Sequence, residues 1–535
     1  MQLLKIQIFN YQQFMGKVVT LANQQNDALF VLIKSLTKSE KRQFNLYVGR
    51  LDGNVGAKFF SLFKFLEKLK MYDEKIIINS GIVSKQQLSN LKAHLYKQIL
   101  ISLRLNPAHK NIRIQIREQL DFATVLYQKG LYKQSLKLLD KAKNLALENE
   151  EKNIAYEIVE LEKVIETQYI TRSISNRADQ LSIQAKTLSQ QNVIASKLSN
   201  LSLQLYSHLL QNGYVKNNEE LEFVNEYFYK RLPIYDFNTF GFREKLWLYK
   251  SHLWFSFLSQ DFLQSYKYAR KWVDLFKENK KYITQHPVFY LKGLNYLLEA
   301  SFFVQKRTTF KKELISFEEE VEQKIIPLNT NTELLIFEYL YANKLHLHFL
   351  EATFSEGEYL VDIINEKINS YGNRLDNHYI VMLYYKIACL YFGMGKNDLC
   401  IEYLQKIIKS KNLSSAEDLQ CFARILNLIA HYECGLDYDL ERQFVDTYKF
   451  LLKMENLQEV QKVFLTSIRD LSDVFPHEIK NEFKKIHTKL KKYEHHPYEK
   501  RAFLYLDILS WLESKIQNKP ISAIIKEKIN IGKKK

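Results

Sequence analysis

Apolar residues recur at three- and four-residue steps through most of this chain, and short polar breaks interrupt them at wide intervals. From Arg117 to Ala146 the pattern predicts two amphipathic helices joined by a tight turn at Gly130-Leu131-Tyr132. From Ile387 to Lys409 it predicts a second such hairpin, turning at Gly395. Further turns or breaks fall near Ser173, Gly213, Gln260, Arg307, Gly357 and Gly435, separated by roughly 40 to 50 residues. Pro233, Pro287 and Pro327 lie between the apolar runs, where a helix has to end. Helical hairpins of this size cannot each bury a core alone, so they stack.

The ends of the chain read differently. Residues 26–107 predict a helical bundle without repeat character. Thr37-Lys38-Ser39-Glu40 and Ser84-Lys85-Gln86-Gln87 fit capping boxes that would open two of its helices. Ala57 to Met71 carries a wide apolar face with Phe59, Phe60, Phe63, Leu66 and Leu69, and Leu88, Leu91, Leu95, Ile99 and Leu103 form another. Asp52-Gly53-Asn54 and Asn79-Ser80-Gly81 supply turns, and Asn106-Pro107 stops the last helix. Residues 108–492 then form the run of hairpins. Residues 493–535 predict basic capping helices, one over Ala502–Ser514, and a Lys533-Lys534-Lys535 tail.

Composition narrows the fold class to all-α. Only 15 glycines and 7 prolines punctuate 535 residues, too few for a sheet-rich or loop-rich chain. Thirty-four tyrosines and 34 phenylalanines sit mainly at helical spacings, which assigns most of them to packing between helices. No apolar stretch approaches the roughly 20 residues of a membrane span, so no membrane insertion is expected. Met1 to Phe9 is broken by Asn10, Gln12 and Gln13 before it reaches leader length, and no cysteine precedes Cys389 to carry a lipid. Cys389, Cys400, Cys421 and Cys434 contain no C-x-x-C pair, which predicts reduced thiols in the cytoplasm and no zinc. Net charge is +17, but residues 1–120 carry +12, residues 482–535 carry +8, and the long middle carries −3. Basic ends and a neutral middle imply that the ends meet something acidic.

The clearest hairpins resemble tetratricopeptide repeats. Phe122, Ala123 and Leu126, then Gly130 and Tyr132, then Ser135, Leu139 and Ala142 match that family's alternation of small and large residues. Ile387, Ala388, Tyr391, Gly395, Cys400, Leu404 and Ile407 match it again. His252 to Trp272, with Phe262, Ser265 and Ala269, is a weaker copy, and Ala430 to Gly435 begins another. The spacing exceeds the family's period of about 34 residues, so longer helices are expected. The resemblance implies a helical solenoid whose surface binds a partner segment. Family members that grip an acidic peptide terminus use a lysine and an asparagine where this chain has Leu120 and Thr124, or Tyr385 and Cys389. That clamp is missing.

Candidate chemistry adds little to this picture. Gly393-Met394-Gly395-Lys396 lacks the first glycine and the hydroxyl of a phosphate loop, having Leu390 and Asn397 there. His346 and His348, two residues apart on a helix, face opposite ways and cannot share a metal. His495-His496 has no third ligand near it, and Glu318-Glu319-Glu320 reads as a solvated helix face. Nothing places a nucleophile beside a base, so the expectation is a non-catalytic chain with no cofactor or metal. One basic constellation stands out. Lys38, Lys41 and Arg42 cluster at the start of one helix; Lys85, Lys92 and Tyr96 form a stripe on another, with Lys97 and Arg104 about 100° round from it. Such stripes suit a nucleic-acid backbone or an acidic protein. The sequence therefore predicts an interaction scaffold that binds protein partners, with RNA or DNA binding through the basic unit as the alternative.

Overall fold

The computed structural model describes residues 27–50, 58–105, 111–168, 176–410, 417–435, 437–452, 459–471, 478–505 and 507–532. The Met1–Phe9 segment, the Asp52-Gly53-Asn54 turn, the Asn106-Pro107 stop, the break near Ser173 and the Lys533–Lys535 tail lie outside the described residues. Every helix and turn of the described residues belongs to an all-helical fold, and no strand occurs among them. No helix among them is long and apolar enough to cross a membrane. The chain divides into two compact units, Met1–Ile154 and Ala155–Lys535.

In the first unit, α1 (Ala28–Ser35), α2 (Lys38–Gly49), α3 (Lys58–Lys68), α4 (Glu74–Asn79) and α5 (Lys85–Arg104) enclose one core around Ile33, Phe44, Phe63, Leu66, Leu95 and Ile99. Helix α5 packs on α1, α2 and α3. The Thr37 capping box forms as the sequence predicts: the Thr37 hydroxyl accepts from the Glu40 amide, and the Glu40 carboxylate accepts from the Thr37 amide at 2.8 Å. The Ser84 box does not form. Ser84 occupies the N-cap, but its side chain makes no capping bond, and its backbone carbonyl closes the first turn with Gln87.

Helices α6 (Ile112–Gln128) and α7 (Tyr132–Glu148) make the predicted hairpin. Gly130 turns it at φ +74°, a region glycine enters without a Cβ penalty. The buried Ser135 hydroxyl donates to the Ala123 carbonyl across the hairpin at 2.7 Å, so small residues do bring the helices close. Phe122 is an exception to the repeat match. It is 49% exposed, because the inward stripe runs Ile116, Leu120, Ala123 and Phe122 lies about 100° off it.

The boundary between units falls within α8 (Lys152–Gln168). The second unit continues with α9 (Arg177–Asn212), α10 (Asn218–Arg231), α11 (Phe242–Leu258), α12 (Phe262–Glu278), α13 (Lys281–Gln285), α14 (Pro287–Phe303), α15 (Arg307–Glu322), α16 (Thr330–Glu351) and α17 (Tyr359–Tyr371). It then runs through α18 (Asn377–Met394), α19 (Asn397–Ile408), α20 (Glu417–Glu433), α21 (Asp437–Leu452), α22 (Glu459–Leu471) and α23 (Ile479–Lys491). Helices α24 (Ala502–Tyr505), α25 (Ile508–Gln517) and α26 (Ile521–Gly532) end it.

Packing in this unit follows chain order. Helix α11 packs on α9 and α12, α14 on α12, α16 on α14 and α15, α18 on α16 and α19, and α20 on α18, α19 and α21. The hairpin turns coincide with the breaks read from sequence: Gln260 (φ +58°) follows α11, Gln305 (φ +55°) precedes α15, and Gly395 (φ +77°) follows α18. Pro287 opens α14 at the position where its missing N–H costs nothing. Gly393 permits a close approach of another kind, since a Cβ there would lie 2.4 Å from the Phe354 ring.

Two features depart from an array of equal hairpins. Helix α9 runs unbroken for 36 residues up to the break at Gly213; Arg177–Asn212 contains neither glycine nor proline to stop it. The chain also returns on itself. The Tyr498 hydroxyl donates to Asn218 at 2.6 Å, and its carbonyl accepts from Gln260 at 3.1 Å. Arg501 lies over the Tyr214 ring, 3.9 Å from its centroid. Contacts across 238 and 280 residues are not what nearest-neighbour stacking alone produces.

Candidate functional site

The basic residues singled out in the first unit separate into two groups. Lys38, Arg42, Lys85 and Lys97 are exposed, and no carboxylate among the described residues lies within bridging distance of them. Tyr96 is 38% exposed. The others are engaged within the fold. Lys92 donates to Asp27 and, at 2.9 Å, to the Tyr72 hydroxyl, and its ammonium sits over the Tyr72 ring. Burial alone would lower its pKa, but the bonds to Asp27 and Tyr72 outweigh it and raise it. Lys41 bridges Glu67 of α3 at 3.6 Å, and Arg104 bridges Asp121 of α6 at 2.9 Å. Lys92 therefore stitches α5 to the start of α1 and is not part of an open stripe.

The second unit holds a polar constellation that the sequence reading did not collect. Helices α11, α14, α16 and α18 each carry large aromatic or charged side chains, at three- and four-residue steps on α11 and α14. On α11 these are Trp247, Lys250 and Trp254; on α14, Phe289, Lys292, Tyr296 and Glu299; on α16, Glu338, Tyr339 and His346; on α18, Tyr379 and Lys386. Neighbouring stripes touch. Trp254 meets Tyr206 of α9 at 4.6 Å and Tyr296 at 5.0 Å between ring centroids, Trp247 meets Phe289 at 5.8 Å, and Tyr339 meets Tyr379 at 6.4 Å.

Several buried groups on these helices are electrostatically coupled. The Tyr206 hydroxyl is pushed up by burial first and then by Glu299 of α14 and Asp376 at the start of α18, although four helices separate Tyr206 from Asp376 in the packing order. Tyr296 and Tyr379 are raised by desolvation, and each of them, like Tyr206, senses the Glu299 charge. Glu338 is 6% exposed and has no hydrogen-bond or ion-pair partner among the described residues. Burial, then the neighbouring Asp376, pushes its pKa up to about 7, and Lys292 offsets this only partly. Glu299 is likewise raised by burial, with Lys386 opposing.

Lys386 donates to Nε2 of His346, whose ring stacks on Phe302 at 4.2 Å. Desolvation lowers Lys386 to about 8 and holds His346 neutral, which leaves Nδ1 of His346 buried without a partner. His348 turns the other way and bonds Thr353 at 2.8 Å, so the two histidines diverge as their spacing requires. Lys250 lies among Trp247, Phe289 and Trp272 rings and is lowered to about 7 by burial and by Lys292. Cys389 is pushed up to about 12, which makes it a poor nucleophile. No group of three His, Cys, Asp or Glu among the described residues could hold a metal ion.

A signal for this site was present in the sequence. Glu338 interrupts Leu334-Leu335-Ile336-Phe337 and Tyr339-Leu340-Tyr341, and Glu299 interrupts Leu297-Leu298 and Ala300. An acid set among apolar neighbours has to find a partner or reach water. A concavity of about 630 Å³ lies between α9 and α10, lined by Val193, Lys197, Leu201, Lys230 and the fully exposed Ile234. No family model, no curated protein and no solved structure matches this chain.

Proposed function

We propose that this chain is a non-catalytic scaffold: an N-terminal bundle followed by a solenoid of helix hairpins, whose inner helices α11, α14, α16 and α18 bind a segment of a partner protein. Aromatic side chains of separate helices that meet one another, with charged groups set among them, carry this reading. Such a surface offers large rings as anchors and unpaired charges for specificity, and both are what peptide recognition uses. The four free cysteines agree with a reducing compartment, the cytoplasm. Site-specific photo-crosslinking tests the reading. A photoreactive phenylalanine replacing Tyr296 or Tyr379 should yield protein adducts in cells, while the same group at the exposed Tyr359 of α17 should not. Adducts from Tyr359 alone would refute it.

A second reading, nucleic-acid binding by the first unit, is favoured by the exposed and unpaired Lys38, Arg42, Lys85 and Lys97. Binding of this kind should be indifferent to base sequence and fall steeply with salt. Fluorescence anisotropy with a labelled duplex decides it: the fourfold glutamine variant should lose affinity on every sequence alike, and equal binding would remove the reading.

A further inference from the structure

We propose that the groove between α9 and α10 is a docking site separate from the inner helices above. Its occupant is an acidic segment of a partner protein, with aspartates or glutamates set beside large apolar side chains.

The groove follows from how α10 is held. Helix α11 packs closely on α9, but α10 touches both only lightly, and a trough remains between α9 and α10. Two concavities lie end to end along it. The larger, of about 630 Å³, is lined from Val193 to Gln204 of α9, and the smaller, of about 260 Å³, from Gln204 to Gln211. Val193, Lys197, Asn200, Gln204 and Gln211 recur at helical steps and so share one face. From Val193 to Gln211 that face is about 27 Å long at 1.5 Å per residue. Where the concavities meet, the Tyr227 hydroxyl donates to Gln204 at 3.0 Å and ties α10 to α9.

The lining sets the chemistry of the occupant. Buried Leu201 lies at its base, while Val193 is half exposed and Ile234, just beyond Pro233, is fully exposed. Phe223, 57% exposed, lines the other end. Apolar side chains left in water along one groove are anchors for apolar groups of a partner. Lys197, Lys230 and Arg231 also line the larger concavity, and no acid lines either one. Lys230 and Arg231 suit the dipole at the end of α10, but Lys197 lies in the middle of α9, where that reason fails. Lys197 makes no ion pair among the described residues. The bond of Lys230 to Glu226 of its own helix is an exposed pair, which exchanges at little cost. The long middle of the chain carries −3, so three cations on one groove are a local departure from its surroundings.

Other occupants fit less well. A nucleic-acid backbone would use the cations but leave Val193 and Ile234 uncovered. The Tyr227 face beside them already carries the Arg231 guanidinium, 3.8 Å from its centroid, in place of a base. A second copy of this chain, at +17, brings the wrong charge.

The test is parallel selection of a display library of random peptides of ~18 residues, long enough to span the groove as a helix. The full-length parent and its Ile234→Ser variant serve as targets. Peptides enriched on the parent alone should share aspartates or glutamates at fixed positions beside leucine, isoleucine or phenylalanine. By fluorescence anisotropy, a synthetic copy should lose ~10-fold or more in affinity when glutamine replaces its acids. The Lys197→Gln/Arg231→Gln chain, checked for unchanged helical circular dichroism, should bind the acidic and neutral copies alike, and Lys85→Gln should bind as the parent does. No peptide that depends on Ile234, or Ile234-dependent peptides without fixed acids, would overturn the inference. So would a labelled RNA or duplex DNA whose binding falls on Lys197→Gln/Arg231→Gln but not on Ile234→Ser, which would assign the groove to nucleic acid. None of these outcomes bears on the inner helices, which have their own test.

Discussion

Replacing Glu338 by glutamine should stabilise the protein at pH 8 and leave it unchanged near pH 4.5. The folded chain holds the Glu338 proton up to about pH 7, against an ordinary 4.5, because burial and Asp376 penalise the ionised form. Between those values the folded state binds more protons than the unfolded state, so stability falls as pH rises through that window. Above pH 7 the full cost is present, and the gap corresponds to ~3 kcal/mol. Glutamine keeps the shape but still buries a polar group, so about 1–3 kcal/mol should return. Over the roughly 380 residues of the second unit, with an unfolding entropy of about 2.1 cal/mol/K per residue, that is a rise of about 1–4 °C in the thermal midpoint at pH 8. Differential scanning calorimetry at pH 8 and pH 4.5 provides the comparison. A lower midpoint for Glu338→Gln at pH 8 would show that Glu338 is paired, with Lys292 the nearest candidate, and the reasoning would fail.

Four other substitutions, one of them a control, probe separate parts of the structure. Lys250→Met should raise the midpoint by about 1–2 °C at pH 6 and by progressively less as pH climbs from about 7 toward 10.5, since burial lowers Lys250 to about 7 and the penalty, full below that point, fades until the unfolded chain loses the proton too; a drop at pH 6 would mean that its contacts with Trp247 and Phe289 outweigh burial. Gly393→Ala should cost ~1–3 kcal/mol in chemical denaturation, because the new Cβ would meet the Phe354 ring at 2.4 Å; a neutral result would show that Phe354 can move aside freely. Lys92→Gln should destabilise the first unit by ~1–3 kcal/mol through loss of the Asp27 and Tyr72 bonds, whereas Lys85→Gln should stay within about 0.5 kcal/mol; equal effects measured by proteolytic susceptibility would contradict the division between inward and exposed lysines.

Local chemistry made much of this fold legible. The Thr37 box, the Gly130 and Gly395 turns and Pro287 at the head of α14 depend on a few neighbouring residues, and each forms where the sequence puts it. The helical class followed from the scarcity of glycine and proline. Longer-range features were less accessible. The 36 residues of α9 alternate small, polar and apolar residues with no breaker, so turn residues outside the segment, not within it, set its length. Gln260 is legible in sequence as a break but not as a partner of Tyr498, which it meets only because the chain returns across 238 residues.

The candidate site was legible in a different sense. Charge counting drew attention to the basic first unit, where exposed lysines and engaged lysines look alike in sequence. Lys92 differs from Lys85 only because Asp27 and Tyr72 happen to lie beneath it. Glu338 and Glu299 each stand among apolar neighbours, and periodicity treats them as noise; their raised pKa values come first from burial, which only the packed helices supply.

Photo-crosslinking in cells tests the central claim most directly. A photoreactive phenylalanine at Tyr296 of α14 or Tyr379 of α18 should join the chain to a partner protein, with the exposed Tyr359 of α17 as the control. Adducts from Tyr296 and Tyr379 but not from Tyr359 are the predicted result, and adducts from Tyr359 alone would contradict the account.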